Sequence, residues 1–122
     1  LSKSMIKSKW GRMVTISSTV AKEPSSAMVQ SATSRAAVLA FNKSISFDLA
    51  KFYVTNNSIL LGGIETNRLK KLIKINAKKS KINESQLRKN ILKNIPAGRF
   101  GEPDEVASLV EFVIDGAMSK II

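Results

Sequence analysis

The side chains available for chemistry in this chain are hydroxyls, amines, guanidiniums and carboxylates. His and Cys are both absent, which removes imidazole bases, thiolate nucleophiles, disulfides and the usual zinc ligands, so no metal site is predicted. Hydroxyl groups are concentrated between Thr15 and Arg35, in TISSTVAKEPSSAMVQSATSR, a stretch that contains Ser18 and Ser31. Any chemistry must therefore use Ser, Tyr, Lys, Arg or carboxylate side chains, and the role of this stretch is the first question that the sequence raises.

The length of the chain limits it to one domain or a part of one. Its 122 residues, 43% hydrophobic and 24% charged, have the composition of a globular protein. The chain begins with Leu1 and shows no leader, which favours an excerpt of a longer protein. No apolar run approaches the roughly 20 residues of a membrane span, and the absence of Cys favours a cytoplasmic location.

The net charge of +11 is concentrated in one segment. Between Asn67 and Lys93, ten Lys and Arg residues accompany a single acid, Glu84. A nucleic acid is one possible partner for such a segment, but it lacks the interleaved aromatic residues that stack on bases. A solvated lysine face is the alternative, so nucleic-acid binding is the less favoured interpretation.

The first half of the chain is predicted to form a strand, a long helix and a second strand. Gly11–Ser18 is rich in β-branched and apolar residues, and 54–61 has a similar pattern. Between them, 28–52 contains no Gly or Pro, and the helix should begin near Ala27. This order is a β-α-β unit with parallel strands and a right-handed crossover, so the predicted fold class is α/β.

The long helix is predicted to carry two apolar sets. One stripe is formed by residues at spacings of four, four and three: Phe41, Ile45, Leu49 and Phe52. The other set contains smaller side chains that would let a second backbone or helix approach closely: Ala36, Ala37, Val38 and Ala40. Burial on more than one face is therefore expected for this helix.

Three further helices are predicted in the second half. A short one has an apolar face opposite its lysines, marked by Leu69, Leu72, Ile73 and Asn76, and 84–94 marks the next. The last begins at Pro103, has acidic residues in its first turn, and ends at Gly116. Its apolar stripe is formed by Val106, Leu109, Val110 and Val113.

These segments, in this order, resemble the C-terminal half of a short-chain dehydrogenase/reductase, especially the members that are similar to 3-oxoacyl-acyl-carrier-protein reductases. GRMVTISS resembles the strand that ends in the catalytic serine, and AAVLAFNKSISFDLA the helix after the active-site motif. NSILLGGIET resembles the next strand with its turn, and IPAGRFGEPDEVASLVEFV a segment near the family's C-terminus. The resemblance implies a Rossmann-type doubly wound sheet, of which residues 1–122 would be the C-terminal portion.

The resemblance also implies roles for three residues of this stretch. In the family, a serine polarises the substrate carbonyl, a tyrosine 13 positions later transfers the proton, and a lysine four positions further holds the nicotinamide ribose. Ser18 matches the serine, whereas Ser31 and Arg35 stand at the tyrosine and lysine positions. An aliphatic hydroxyl is a far weaker acid than a phenol, and Tyr53 lies roughly 33 Å from Ser31 along the helix, so the proton donor of the family is missing.

Cofactor contacts are implied for Arg35, Gly62, Ile64 and Thr66, with NAD or NADP as the cofactor. Leu61 replaces the family's proline, and the glycine-rich phosphate turn of the family is absent from residues 1–122. The basic segment 67–94 corresponds to the family's lid over the substrate. Helix 28–52 corresponds to a subunit-interface helix, which implies a homo-oligomer.

Three functions therefore remain open at this point. The first is an NAD(P)-dependent oxidoreductase acting on a small carbonyl or alcohol substrate, truncated and with a divergent active site. The second is a non-catalytic remnant of this family that acts by subunit association. The third, and least favoured, is a small basic nucleic-acid-binding protein.

Overall fold

The computed structural model describes residues 2–115 and contains two parallel strands and five α-helices in that range. The elements are α1 (Ser2–Ser8), β1 (Gly11–Ser18), 3-10 turns at Thr19–Ala21 and Ser26–Met28, α2 (Val29–Ala50), β2 (Val54–Leu61), α3 (Asn67–Ser80), α4 (Glu84–Leu92) and α5 (Pro103–Asp115). Both strands have the predicted bounds, while α1 was not predicted. The described residues divide into two compact units: unit 1 comprises 2–61 and 108–115, and unit 2 comprises 62–107.

The two strands of unit 1 form a parallel pair with α2 as the crossover. Their register runs from Gly11 opposite Val54 to Ser18 opposite Leu61, without a bulge. The predicted β-α-β unit and the α/β class are therefore confirmed. Because the strands are parallel, their carboxyl ends meet at one edge of the sheet, and Ser18 and Leu61 lie side by side there.

A buried amide holds α2 against both strands. The Asn42 side chain is 6% exposed, and its Nδ2 donates to Thr15 Oγ1 and to Ser58 Oγ, both at 2.9 Å. Thr15 and Ser58 are directly opposite each other in the strand register. In return, Asn56 Nδ2 donates to the Asn42 carbonyl oxygen at 3.1 Å. The two bonds of the Asn42 side chain compensate the cost of burying its amide, and all three bonds fix the helix against the strands.

The buried stripe of α2 differs from the predicted one. Its buried members are Ala32, Asn42 and Leu49, whereas Phe41 is 61% exposed and Phe52 is 37% exposed. The prediction was wrong for these two phenylalanines because it counted apolar side chains only, and a polar residue, Asn42, occupies the centre of the buried face. Burial of α2 on more than one face stays a prediction.

The second apolar set of α2 is exposed throughout. This set comprises Ala36, Ala37, Val38 and Ala40. Its exposure in one chain neither supports nor contradicts contact with a second copy. Association of two copies through helix 28–52 therefore stays a prediction.

In unit 2, α3 buries a narrower face than its sequence suggests. Ile73 is 5% exposed and Ala77 is 2% exposed, and Leu69 is half-buried. Leu72, at 42% exposure, and Asn76 lie outside this line, so their predicted place on the apolar face was wrong. The reason is that positions 69, 73 and 77 repeat every four residues and align along one side of a helix. Helix α4 ends two residues before the predicted end, at Leu92.

The beginning of α5 is organised by charge, as the acidic first turn predicted. The Glu105 carboxylate accepts hydrogen bonds from the Glu102 backbone N–H at 2.7 Å and from both Nη groups of Arg99, at 2.8 and 2.6 Å. The helix starts at Pro103, as predicted. In the apolar stripe Leu109 is 45% exposed, which contradicts its assignment, and the predicted end at Gly116 lies outside the described residues.

None of the helices between residues 2 and 115 is both long enough and apolar enough to span a bilayer.

Replacing the buried amide should weaken unit 1. We expect Asn42→Ala to lower the free energy of unfolding by about 2 to 3 kcal/mol, because it leaves hydroxyl groups of Thr15 and Ser58 without their partner. The matched control is Asn76→Ala on the exposed surface of α3, which should change it by less than about 0.5 kcal/mol. Urea denaturation followed by circular dichroism measures both, and equal effects would show that Asn42 does not hold the helix.

The Glu105 carboxylate should make stability depend on pH in a defined range. Hydrogen bonds from Arg99, and then from the Glu102 N–H, lower the pKa of Glu105 to about 2. Since the pKa in the folded state is below that of the unfolded chain, the stabilisation is complete above about pH 4.5 and is lost as the pH falls towards about 2.

The measurement is the urea midpoint as a function of pH between these limits. Glu105→Gln should flatten the profile, and Arg99→Gln should flatten it in part because the N–H of Glu102 remains. A profile unchanged in both variants would contradict the assignment.

Candidate active site

Ser18 lies at the carboxyl end of β1. Its backbone is extended and its Oγ accepts a hydrogen bond from the Val20 N–H at 3.4 Å, which caps the 3-10 turn Thr19–Ala21. The hydroxyl uses a lone pair in this contact, so its proton remains available to donate. Ser18 is therefore a strand-end hydroxyl that both caps a turn and can donate to a ligand.

Ser31 and Arg35 form a pair on one side of α2. Arg35 Nε donates to Ser31 Oγ at 3.2 Å across one helical turn. Both residues are half-buried on the face that α2 turns towards the sheet. The structure thus brings these two predicted site residues into direct contact, while none of the hydrogen bonds described for residues 2–115 joins either of them to Ser18.

The position of Asn42 sets the level of this pair along the strands. Arg35 precedes Asn42 by seven residues, about 10.5 Å of helix, and Ser18 follows Thr15 by three residues, about 10 Å of strand. Because α2 runs opposite to the strands in a β-α-β crossover, both distances lead from the Asn42–Thr15 contact towards the same edge of the sheet. Arg35 and Ser18 therefore lie at a similar level, near the carboxyl ends of the strands.

The predicted cofactor residues after β2 lie in unit 2. Ile64 forms an isolated parallel bridge with Gly101, in which Glu65 N donates to Gly101 O at 2.7 Å and Gly101 N donates to Gly63 O at 3.0 Å. In such a bridge, the N–H and C=O of the central residue face the opposite side. Accordingly, the backbone groups of Ile64 form no backbone hydrogen bond among those described, and both remain available.

Gly62 and Thr66 have different surroundings. A Cβ added to Gly62 would meet no atom within 4 Å, so the space beside it is open. Thr66 caps α3, because its Oγ1 accepts from the Leu69 N–H at 3.2 Å. As with Ser18, the hydroxyl proton of Thr66 remains free for another acceptor.

One contact at this loop was missed by the sequence reasoning. Arg88 of α4 binds both carboxylate oxygens of Glu65, with Nη1 at 3.2 Å from Oε1. Its guanidinium also lies 4.8 Å from the centre of the Phe100 ring. The hydrogen bonds from Arg88 lower the pKa of Glu65. Burial opposes this shift, and charge attraction by Arg88 and Lys70 makes smaller contributions that lower the pKa further. The contact connects α4 to the loop that carries Ile64 and Thr66.

No sequence pattern marks this contact, because the two residues are 23 positions apart and in different elements. Glu65 and Arg88 were visible only as two of many charges in a basic segment. The close approach of Gly63 to the Phe100 ring was equally hidden. A Cβ added to Gly63 would lie 2.7 Å from Phe100 Cδ1, and Phe100 is 3% exposed.

A cavity of about 540 Å³ lies in unit 1 at the amino ends of the strands. Its lining includes Arg12, Phe47, Tyr53 and Val54. Val54 is the first residue of β2 and Arg12 the second of β1, so this cavity is at the opposite end of the sheet from Ser18. It is not part of the candidate site.

The chain matches proteins of known family over its whole length. The family model described as enoyl-(acyl carrier protein) reductase matches residues 1–122. The 3-oxoacyl-acyl-carrier-protein reductase of Aquifex aeolicus is 34% identical over 117 residues, which is 96% of this chain and 43% of that protein. The corresponding protein of Buchnera aphidicola is 34% identical over 119 residues, 98% of this chain and 44% of that protein. The chain thus spans less than half the length of these relatives.

Solved structures also superpose on most of this chain. An actinorhodin polyketide ketoreductase with NADPH superposes with a TM-score of 0.84 at 27% identity, over 93% of this chain and 44% of that chain. A short-chain dehydrogenase family protein from Francisella tularensis gives 0.80 at 26% identity, over 84% and 43%. NAD⁺-bound xylitol dehydrogenase gives 0.82 at 22% identity, over 95% and 47%, which shows the fold alone.

The two glycines after β2 allow a matched test of the loop. We expect Gly63→Ala to lower the free energy of unfolding by about 1 to 3 kcal/mol, because the added methyl group would collide with the Phe100 ring. Gly62→Ala, which meets open space, should change it by less than about 0.5 kcal/mol. Thermal unfolding of the two variants gives the comparison, and equal stabilities would mean that Phe100 does not pack on Gly63.

Proposed function

The chain belongs to the short-chain dehydrogenase/reductase family, and on this basis we propose that it is the C-terminal portion of an NAD(P)-dependent oxidoreductase with a divergent active site. Its substrate would be a small molecule with a carbonyl or hydroxyl group. The observation that carries this proposal is the position of Ser18: a hydroxyl with a free proton, at the carboxyl edge of the sheet and at a similar level to Arg35. Ligands of open α/β sheets bind at this edge.

Ser18 has the chemistry to polarise a carbonyl group. Its Oγ accepts from the Val20 N–H, and a hydroxyl that accepts one hydrogen bond is a better donor in another. A bond from Ser18 to a substrate carbonyl oxygen would stabilise the negative charge that develops there during reduction. The relatives named as 3-oxoacyl reductases act on such a carbonyl, and this supports a carbonyl substrate for the present chain.

The proton-transfer step is where this chain departs from the family pattern. Ser31 has an aliphatic hydroxyl, which is a much weaker acid than a phenol. Its Oγ accepts from Arg35, so the guanidinium stabilises developing charge on that oxygen in the way a lysine would. Ser31 and Arg35 thus keep a hydroxyl next to a cation, as in the family's pair. Because the hydroxyl of Ser31 is a much weaker acid than a phenol, slow catalysis is expected.

The loop in unit 2 fits the amide end of a nicotinamide cofactor. The backbone N–H and C=O of Ile64 provide one donor and one acceptor side by side, and a primary carboxamide offers the complementary pair. Thr66 adds a hydroxyl proton, and the open space beside Gly62 admits a ligand without a clash. When bound, the cofactor supplies the hydride that reduces the carbonyl.

Arg35 stands at the position from which the family's lysine contacts the cofactor ribose, so its guanidinium is proposed to face the ligand in unit 1. The segment 67–94 is proposed as a lid, because its buried line, Leu69 with Ile73 and Ala77, gives it an apolar side. The remaining pieces of the cofactor site, above all a glycine-rich phosphate turn, would belong to a part of the protein outside these 122 residues. This agrees with relatives more than twice as long as the chain.

The test begins with the intact mass and the upstream sequence of the protein in its natural source. We expect a strand–glycine-rich turn–helix before Leu1, and tight binding of NADH or NADPH by the protein at its natural length, followed by the fluorescence of the reduced nicotinamide. Ser18→Ala should lower kcat for a 3-oxoacyl thioester by about a hundredfold or more. Ser18→Thr, which keeps the hydroxyl, should retain activity, and Ser25→Ala in the neighbouring exposed loop is the control.

Absence of cofactor binding at the natural length would contradict the proposal. It would favour the other function raised by the sequence, a non-catalytic member of the family that acts by association with other subunits.

A further inference from the structure

Arg35 is a partly buried cation that has no counter-ion among residues 2–115. Its Nε is used in the bond to Ser31 Oγ. The ion pairs described for residues 2–115 join Lys51 to Asp48, Arg88 to Glu65 and Arg99 to Glu105, and none involves Arg35. Its two Nη groups likewise make no hydrogen bond to any described residue. The half-buried positive charge of Arg35 is therefore uncompensated within the described part of the chain.

This arrangement differs from that of Arg88 and Arg99, the two guanidiniums that have a counter-ion among the described residues. Arg88 and Arg99 each bind both oxygens of a carboxylate through their Nη groups. In Arg35 the Nε bond to Ser31 holds the plane of the group, while the Nη edge that would take a carboxylate is left open. A planar pair of donors matches the two oxygens of a carboxylate or phosphate, and a partly desolvated charge gains most from an opposite charge.

Ser31 adds a donor to the same place. Its Oγ accepts from Arg35, and it donates no hydrogen bond to any described residue, so its proton can point to a ligand. A neutral ribose hydroxyl would satisfy individual Nη–H groups but would leave the charge of Arg35 uncompensated. An anionic group would satisfy the donors and the charge together.

We propose that Ser31 and Arg35 form an anion-binding pair, which holds a carboxylate or phosphate of the ligand bound beside Ser18. This inference rests on the proposed function, and it specifies the substrate class as an acid: a carbonyl or hydroxyl compound that also carries an oxyanion. A phosphate of the cofactor is the other source of the same chemistry. The residue at the position of the family's lysine would thus bind a negatively charged group of the ligand in this chain.

The test is an anion titration of the intact protein. It is done without cofactor, and its readout is binding instead of enzymatic activity. Sodium acetate and inorganic phosphate are added separately at constant ionic strength, and the Arg35 Nε–H signal is followed by nuclear magnetic resonance. We expect a saturable shift of this signal. Arg35→Gln should weaken anion binding, measured by calorimetry, by about tenfold or more.

Two controls separate a built site from the general charge of +11. Arg68→Gln removes an exposed charge at the start of α3 and should change the affinity by less than about twofold. Arg35→Lys keeps the charge but loses the planar donor pair, so it should bind more weakly than the unchanged protein. If Arg35→Gln does not fold, Ser31→Ala, which releases the guanidinium from its anchor, should show the loss of affinity instead.

The outcomes are distinct. Tighter binding of acetate indicates a carboxylate substrate, and tighter binding of phosphate indicates a phosphate of substrate or cofactor; both support the anion pair. An unmoved Arg35 signal, or equal losses in Arg35→Gln and Arg68→Gln, would overturn it even if NADH binds. A saturable Arg35-dependent shift in a protein that binds no nicotinamide would keep the anion pair and overturn the proposed oxidoreductase.

Discussion

The arrangement of unit 1 depends on the burial of one amide. Asn42 lies between the helix and the sheet, where an unpaired polar group would be costly, and only one placement of α2 gives it partners on both strands. Because Thr15 and Ser58 face each other in the register, the same bonds hold the strands together and set the height of the helix above them. The level of Arg35 near Ser18 follows from this single contact.

Unit 2 is organised differently, around an aromatic ring. Phe100 fills the space that the lack of a side chain at Gly63 leaves open, and Arg88 covers the ring while it binds Glu65. These contacts lie beside the loop 63–65. The loop forms its hydrogen bonds to Gly101 through Gly63 and Glu65, and the backbone N–H and C=O of Ile64 point to the opposite side. The backbone groups that we propose as cofactor contacts therefore lie on the side of the loop opposite to this packing.

Ser31 and Arg35, which the resemblance places at the tyrosine and lysine positions of the family, differ from that pair in chemistry more than in spacing. A phenol and an amine are replaced by an aliphatic hydroxyl and a guanidinium, yet Ser31 and Arg35 keep the one-turn spacing that lets the cation reach the oxygen. An aliphatic hydroxyl is a weaker acid than a phenol, and a guanidinium offers a planar set of donors, which is why we propose an anion as the ligand of this pair. A change of this kind can alter what the site binds while the fold around it is retained.

The sequence by itself determined the family and most of the elements. Both strands, the crossover helix and the start of α5 follow from local patterns of apolar residues, Gly, Pro and charge, which act between near neighbours, and short motifs in order were enough to indicate the family. The exposure of Phe41, the burial of Asn42 and the pairing of Glu65 with Arg88 were decided by tertiary structure. Whether a side chain is buried, and whether a polar one finds a partner there, depends on residues distant in sequence that only the folded chain brings together.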